Sequence, residues 1–127
     1  MVLGAMIAIL TFAAVGASAA SDSPATSLSK PHQLASLNAL SHEVLHRQAR
    51  GDHIGALKLA KTLAARVKTE FGPTHLQYVL ALNNVALLHD EQNRPYDAAP
   101  IYAEALRIID RHHPTRVATL AVVLNNL

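Results

Sequence analysis

The sequence predicts an all-α fold of stacked antiparallel helical hairpins, an α-solenoid of about two and a half repeats. From Gln33 onward, Leu and Ala recur at spacings of three and four residues, which is the period of amphipathic helices. Gly51 and the pair Gly72-Pro73 interrupt this pattern, and the pattern returns at an offset of 42 residues. Regular helices, regular breaks and a fixed period together indicate repeated helical hairpins.

Five helices follow from this spacing, and they fill a predicted repeat domain over residues 33–127. The first helix stops near Gly51. The second stops at Gly72-Pro73, because glycine supplies a left-handed C-cap and proline cannot continue a helix. The remaining three are expected from 73 or 74 through 86, from about 96 to 110, and from 113–115 to 127.

The 42-residue period is visible in the residues themselves. The offset pairs Leu40 with Leu82 and Leu124. The motif Leu82-Asn83-Asn84-Val85 returns as Leu124-Asn125-Asn126-Leu127. A hairpin repeated in this way buries its apolar stripe against its neighbours, so the period sets the fold.

The segments Ala81–Leu88 and Tyr96–Leu106 resemble a tetratricopeptide repeat of the kinesin-light-chain type, and the loop Gly72–His75 is similar to that family's inter-repeat connection. His89 and Asn93 stand where the family has Tyr and Gly. The resemblance implies that the first helix of each hairpin lines an inner, concave face. It also implies that extended peptides or partner segments bind there.

On that implied face, Leu80, Asn83, Asn84, Leu87 and Glu91 share one side of the third helix. Equivalent positions in the three repeats form the row Ser41, Asn83 and Asn125. Amide side chains both donate and accept hydrogen bonds, so they suit recognition of a peptide backbone. The predicted groove residues are Ser41, Leu80, Asn83, Asn84, Leu87, Glu91 and Asn125. The alternative is that Asn83 and Asn125 pack between helices or face solvent.

A second pattern, His42-Glu43-Val44-Leu45-His46, matches the H-E-x-x-H signature of zinc peptidases. On a helix, His42 and His46 share one face and could bind zinc, with Glu43 polarising a water molecule. The extended signature fails, because Ala49 and Asp52 replace its Gly and His. A zinc site or hydrolase is therefore the alternative function. The main prediction assigns no metal site and no catalytic residue.

Composition limits the other function classes. The absence of Cys excludes disulfide frameworks, thiolate zinc sites and thiol nucleophiles. The formal charge of +2 is too small, and the basic residues too scattered, for a nucleic-acid partner. The five Gly form no phosphate-binding loop, and no cofactor is expected.

Residues 1–20 predict an export signal, because they carry no charge and end in the small-residue run Gly16–Ala20. Cleavage after Ala19 or Ala20 and a periplasmic or secreted location follow. The alternative is an uncleaved N-terminal membrane anchor, because a helix of about 20 apolar residues can span a bilayer. In that case, this segment alone would contact the membrane. Residues 21–32, rich in Ser, Thr and Pro, are expected to form a flexible linker.

The fifth helix lacks the polar outer face of a capping helix, since Leu120, Val123, Leu124 and Leu127 recur along it. The chain is therefore expected to be part of a longer array or to self-associate. Taken together, the sequence predicts an exported, noncatalytic protein-protein interaction module. Its partner is a protein or peptide whose identity the sequence does not give.

Overall fold

The computed structural model describes residues 30–126, and these form five α-helices with no strand among them. The helices are α1 (Lys30–Ala49), α2 (His53–Phe71), α3 (Leu76–Glu91), α4 (Pro95–His112) and α5 (Val117–Asn125). Each helix packs against the next one in the chain, and α5 also contacts α3. The predicted all-α hairpin fold is confirmed.

Several predicted boundaries shift. Helix α1 begins at Lys30, so residues 30–32 of the predicted linker are helical; proline is tolerated in a first helical turn, where Pro31 lies. The predicted signal segment, residues 21–29 of the linker, and Leu127 lie outside the described residues. Helix α3 begins at Leu76, two or three residues later than expected. The His75 side chain caps it there, because its Nδ1 atom accepts a hydrogen bond from the backbone N–H of Gln77 at 3.1 Å. Helix α5 begins at Val117, after a turn in which the His113 ring donates to the Thr74 carbonyl at 2.6 Å.

The turns inside the two complete hairpins share one backbone geometry. Gly51 has a φ of 79° and Asn93, 42 residues later, has a φ of 56°. Asn is one of the few non-glycine residues that enter this left-handed region readily, which explains how Asn93 replaces the family's Gly. The 42-residue period is therefore a property of the backbone as well as of the sequence.

The hydrophobic core consists of two clusters that meet at α3. The first joins α1, α2 and α3, and the second joins α3, α4 and α5. Helix α3 contributes Ala81, Val85, Leu87 and Leu88 to the first cluster and Val79 and Ala86 to the second. In the second cluster, α4 packs closely through Ala98, Tyr102 and Ala105, which are at most 2% exposed. The two alanines leave room for the ring of Tyr102 and allow the paired helices to approach closely.

No helix between Lys30 and Asn126 combines the length and the hydropathy needed to cross a membrane.

Candidate functional site

The row predicted from Ser41, Asn83 and Asn125 is not exposed as a row. Ser41 is 4% exposed and Asn83 is fully buried, whereas Asn125 is exposed. The reason is the rotation of the hairpins: Asn83 lies between Val79 and Ala86 on the side of α3 that packs against α4 and α5. No element within residues 30–126 covers the equivalent side of α5. Of the two readings left open above, Asn83 follows the packing alternative and Asn125 the solvent-facing one.

Asn83 is a buried polar contact between repeats. Its Oδ1 atom accepts a hydrogen bond from Nδ2 of Asn126 at 3.2 Å. Within the part of the chain that the structure describes, its own Nδ2 atom has no hydrogen-bond partner. Asn83 therefore joins α3 to the end of α5 and is not accessible to a peptide in this arrangement.

The remaining predicted groove residues also differ from the expectation. Asn84 and Leu87 are 4% and 2% exposed, and Leu80 is half-buried. Glu91 is exposed, but its carboxylate already has two neighbours: Gln48 Nε2 donates to it at 2.7 Å, and His53 Nδ1 lies 3.5 Å from it. Glu91 thus ties the ends of α1 and α3 to the start of α2.

The accessible part of the first-helix face lies mainly on α1. Ala35 and His42 are exposed there and Leu45 is half-buried, 42 residues before Gln77, Asn84 and Leu87. Helical periodicity places these side chains on the face that also carries Leu80 of α3. We call the surface formed by Ala35, His42, Leu45 and Leu80 the first-helix face.

Within the H-E-x-x-H segment, Glu43 is held by an arginine. Arg47 Nε donates to Glu43 Oε1 at 2.8 Å, and Arg47 Nη1 donates to Asp52 Oδ2 at 3.1 Å. The hydrogen bond with Glu43 is the main cause that raises the pKa of Arg47. Asp52 also caps α2 by accepting from the Gly55 amide at 2.9 Å, so this chain of contacts fastens α1 to α2.

The two histidines of the segment do not meet a third ligand. His42 and His46 are exposed, and His46 Nδ1 lies 4.0 Å from Glu43 Oε2. Across residues 30–126, no group of three or more His, Asp or Glu side chains is placed to hold a metal ion. A peptidase would need Glu43 beside a metal-bound water, and here the carboxylate faces Arg47.

Two buried polar residues were not singled out as site residues from the sequence. His89 is 4% exposed with Nδ1 4.0 Å from Asp97 Oδ2; burial lowers the pKa of His89, and the charges of Lys61 and Arg94 lower it further. Tyr102 is 2% exposed, and its pKa is raised by burial and by the neighbouring carboxylate of Asp90. In both groups burial disfavours the charged form, as expected in a packed interior.

Two large apolar side chains are exposed at equivalent positions of the two hairpins. Ile54 near the start of α2 is 78% exposed, and Tyr96 near the start of α4, 42 residues later, is 93% exposed. An open pocket of about 520 Å³ lies between the two hairpin turns, bordered by Ile54, His53 and Glu91 among others. Helix α5 adds Val117 and Leu124, at 68% and 52% exposed, while Val123 is buried.

Comparison with known proteins identifies one family. A family model described as tetratricopeptide repeat matches residues 35–111, which is more than half of the chain. Neither the search of curated proteins nor the search of solved structures gave a match. The matched residues span α1 to α4 almost completely, so the match covers both complete hairpins. The kinesin-light-chain subtype stays a prediction.

Proposed function

The chain belongs to the tetratricopeptide-repeat family, and from that premise we propose that it is an exported, noncatalytic module that binds a protein or peptide partner on its first-helix face. Tetratricopeptide repeats are generally noncatalytic and generally bind protein partners. The observation that carries the proposal is the family match over two packed hairpins that share the left-handed turns at Gly51 and Asn93.

The first-helix face offers the mixed surface that peptide binding needs. His42 is an exposed hydrogen-bonding side chain, and Leu45 and Leu80 are half-buried apolar side chains on the same face. An apolar centre with polar neighbours is the usual arrangement of a binding surface. The predicted amide row is replaced in this proposal by His42 and the two leucines.

Photo-crosslinking tests the binding surface. Benzoylphenylalanine is introduced at Ala35 or His42, both exposed on α1, and in a matched control at Thr62, which is exposed on α2. The proposal expects the same protein, identified by mass spectrometry, to be captured in the native compartment from Ala35 and His42 and not from Thr62. Capture that is equal at all three positions, or no capture from α1, contradicts it.

Export is tested separately by the mature N-terminus. The proposal rests on the uncharged segment 1–20 and its small-residue ending. Mass spectrometry of the protein from its native host should find Ala20 or Ser21 as the first residue. An intact Met1 in the cytoplasmic fraction contradicts export, and an intact Met1 in the membrane fraction supports the anchor alternative in its place.

A further inference from the structure

A groove of about 380 Å³ lies between α2 and α4, with α3 between them. Ala65 lies on the α2 side and Ile101 on the α4 side, and Tyr78 and Leu82 of α3 lie between. Tyr78, Leu82 and Ile101 are half-buried, so the groove presents apolar surface to solvent. Its volume is at the lower end of the range for ligand pockets, about 300–1,000 Å³.

This groove is separate from the first-helix face. On α3, Leu80 belongs to that face and Leu82 belongs to the groove. Two residues along a helix correspond to a rotation of about 200° around its axis, so the two side chains lie on nearly opposite sides. A ligand in the groove therefore contacts the opposite side of α3.

Two lysines of α2 line the groove. Lys61 and Lys68 are exposed, and neither forms an ion pair with a carboxylate of residues 30–126. The Nζ atom of Lys68 lies 5.6 Å from the ring centroid of Tyr78, close enough for a cation–π contact over the apolar floor.

The acidic residues of α4 do not cancel these lysines. Glu104 has its own arginine, with both oxygens of its carboxylate accepting from Arg107 at 2.7 Å. Asp97 likewise pairs with Arg94 at 2.7 Å. Lys68 lowers the pKa of Glu104 only as a smaller contribution beside the Arg107 hydrogen bond. Neither Lys61 nor Lys68 is therefore held in an ion pair by the described residues, although Lys68 and Glu104 lie close enough for their charges to interact.

We propose that this groove is a second docking site, which binds a partner segment carrying one large apolar side chain flanked by carboxylates. The apolar side chain enters between Ala65 and Ile101 and covers Leu82. The carboxylates pair with Lys61 and Lys68, which lie seven residues and therefore about 10 Å apart along α2. A segment in the polyproline II conformation, with three residues per turn and about 3.1 Å per residue, covers that distance in about three residues and brings side chains three positions apart to the same side, so its acidic residues stand three positions apart.

Nuclear magnetic resonance with a synthetic peptide tests this proposal on the whole protein. The probe contains the run Glu-Ser-Phe-Glu between neutral residues, and the control peptide has Gln in place of both Glu. Titration of ¹⁵N-labelled protein should shift the amide signals of Ala65, Leu82 and Ile101 and leave His42 and Leu45 unchanged. The Gln peptide should bind at least about tenfold more weakly, because it lacks the charges that complement the lysines.

Substitutions of exposed residues separate the site from its surroundings. Lys61→Glu and Lys68→Glu should each weaken binding of the acidic peptide by at least about tenfold. Arg50→Glu makes the same charge change at the exposed turn after α1, away from the groove, and should alter affinity by less than about threefold, because exposed charges at a distance are screened by salt. Ala65→Phe should block the groove while preserving the far-ultraviolet circular dichroism.

Several results would overturn the inference. They are an absence of shifts at the groove amides up to millimolar peptide, equal binding of the Gln peptide, or an Arg50→Glu effect as large as that of Lys61→Glu. Shifts confined to His42 and Leu45 would also overturn it while supporting the first-helix face. Groove shifts that grow with protein concentration in the absence of peptide would assign the groove to a second copy. Groove shifts caused by removal of residues 21–29, again without peptide, would assign it to the chain's own N-terminal segment.

Discussion

Replacement of the buried amide of Asn83 should stabilise the protein. Asn83→Leu keeps the branching of the side chain and removes an Nδ2 group that has no partner within residues 30–126. Relief of that desolvated donor is worth about 1–3 kcal/mol, and loss of the single hydrogen bond from Asn126 costs about 1 kcal/mol. Asn126 is only half-buried, so its side-chain amide can donate to water once the Asn83 oxygen is removed. The free energy of unfolding should therefore rise by about 1 kcal/mol.

Urea denaturation followed by circular dichroism at 222 nm measures this change. In a thermal melt, a gain of about 1 kcal/mol corresponds to a rise in Tm of about 4–8 °C for a domain of this size. Asn125→Leu, on the exposed side of α5, is the matched control and should change stability by less than about 0.5 kcal/mol. Asn83→Asp should be strongly destabilising, because it buries an unpaired charge.

A loss of more than about 1 kcal/mol in Asn83→Leu would refute this reasoning. It would mean that the amide forms contacts absent from the described arrangement, as the predicted peptide-reading row requires. Unchanged capture of the crosslinked partner by Asn83→Leu would support the packing role independently.

Three further predictions follow from the turns, the core and the H-E-x-x-H segment. Gly51→Ala should lower the free energy of unfolding, measured by urea denaturation, by about 1–2 kcal/mol, because alanine is strained at the positive φ of Gly51 even though its Cβ would meet no atom within 4 Å. Asn93→Gly should cause no loss, because glycine adopts a positive φ without strain, and equal losses in the two variants would contradict this. Folding raises the pKa of Tyr102, so the contribution of this residue to the free energy of unfolding is complete below the unfolded-state pKa of about 10. That contribution is lost as the pH rises from about 10 toward the pKa of the folded state. Tyr102→Phe should flatten that alkaline loss in thermal melts, and the control Tyr96→Phe, at 93% exposed, should not. Glu43→Gln should cost less than about 1 kcal/mol, since the Arg47 ion pair is half-exposed, and abolition of a peptidase activity by this change would refute the noncatalytic proposal.

The fold could be predicted because its signals are local. The spacing of apolar residues, the breaks at Gly51 and Gly72-Pro73 and the 42-residue period all lie within short stretches of chain. The left-handed turn at Asn93 was not predicted, although its position, 42 residues after Gly51, carried a signal for it.

The site was harder to predict because it depends on how one hairpin rotates against the next. Periodicity correctly groups Asn83 with its neighbours on one helix, but it does not tell which flank of that helix the following hairpin covers. The same limit applies to Glu91, whose partners Gln48 and His53 come from other helices. The groove lysines had a local signal, a seven-residue spacing on α2, but their significance depends on Ile101 and Leu82 lying beside them.

The sharing of α3 between the two core clusters has a consequence for how the protein opens. Separation of α1 exposes only the first cluster, and separation of α5 exposes only the second. Separation of α3 exposes both, so no opening that includes α3 leaves a packed core behind. Hydrogen exchange of backbone amides should therefore be slowest in α3, at the rate of global unfolding, and fastest in α5. The middle helix sets the cooperativity of the array, and the outer helices open and close around it.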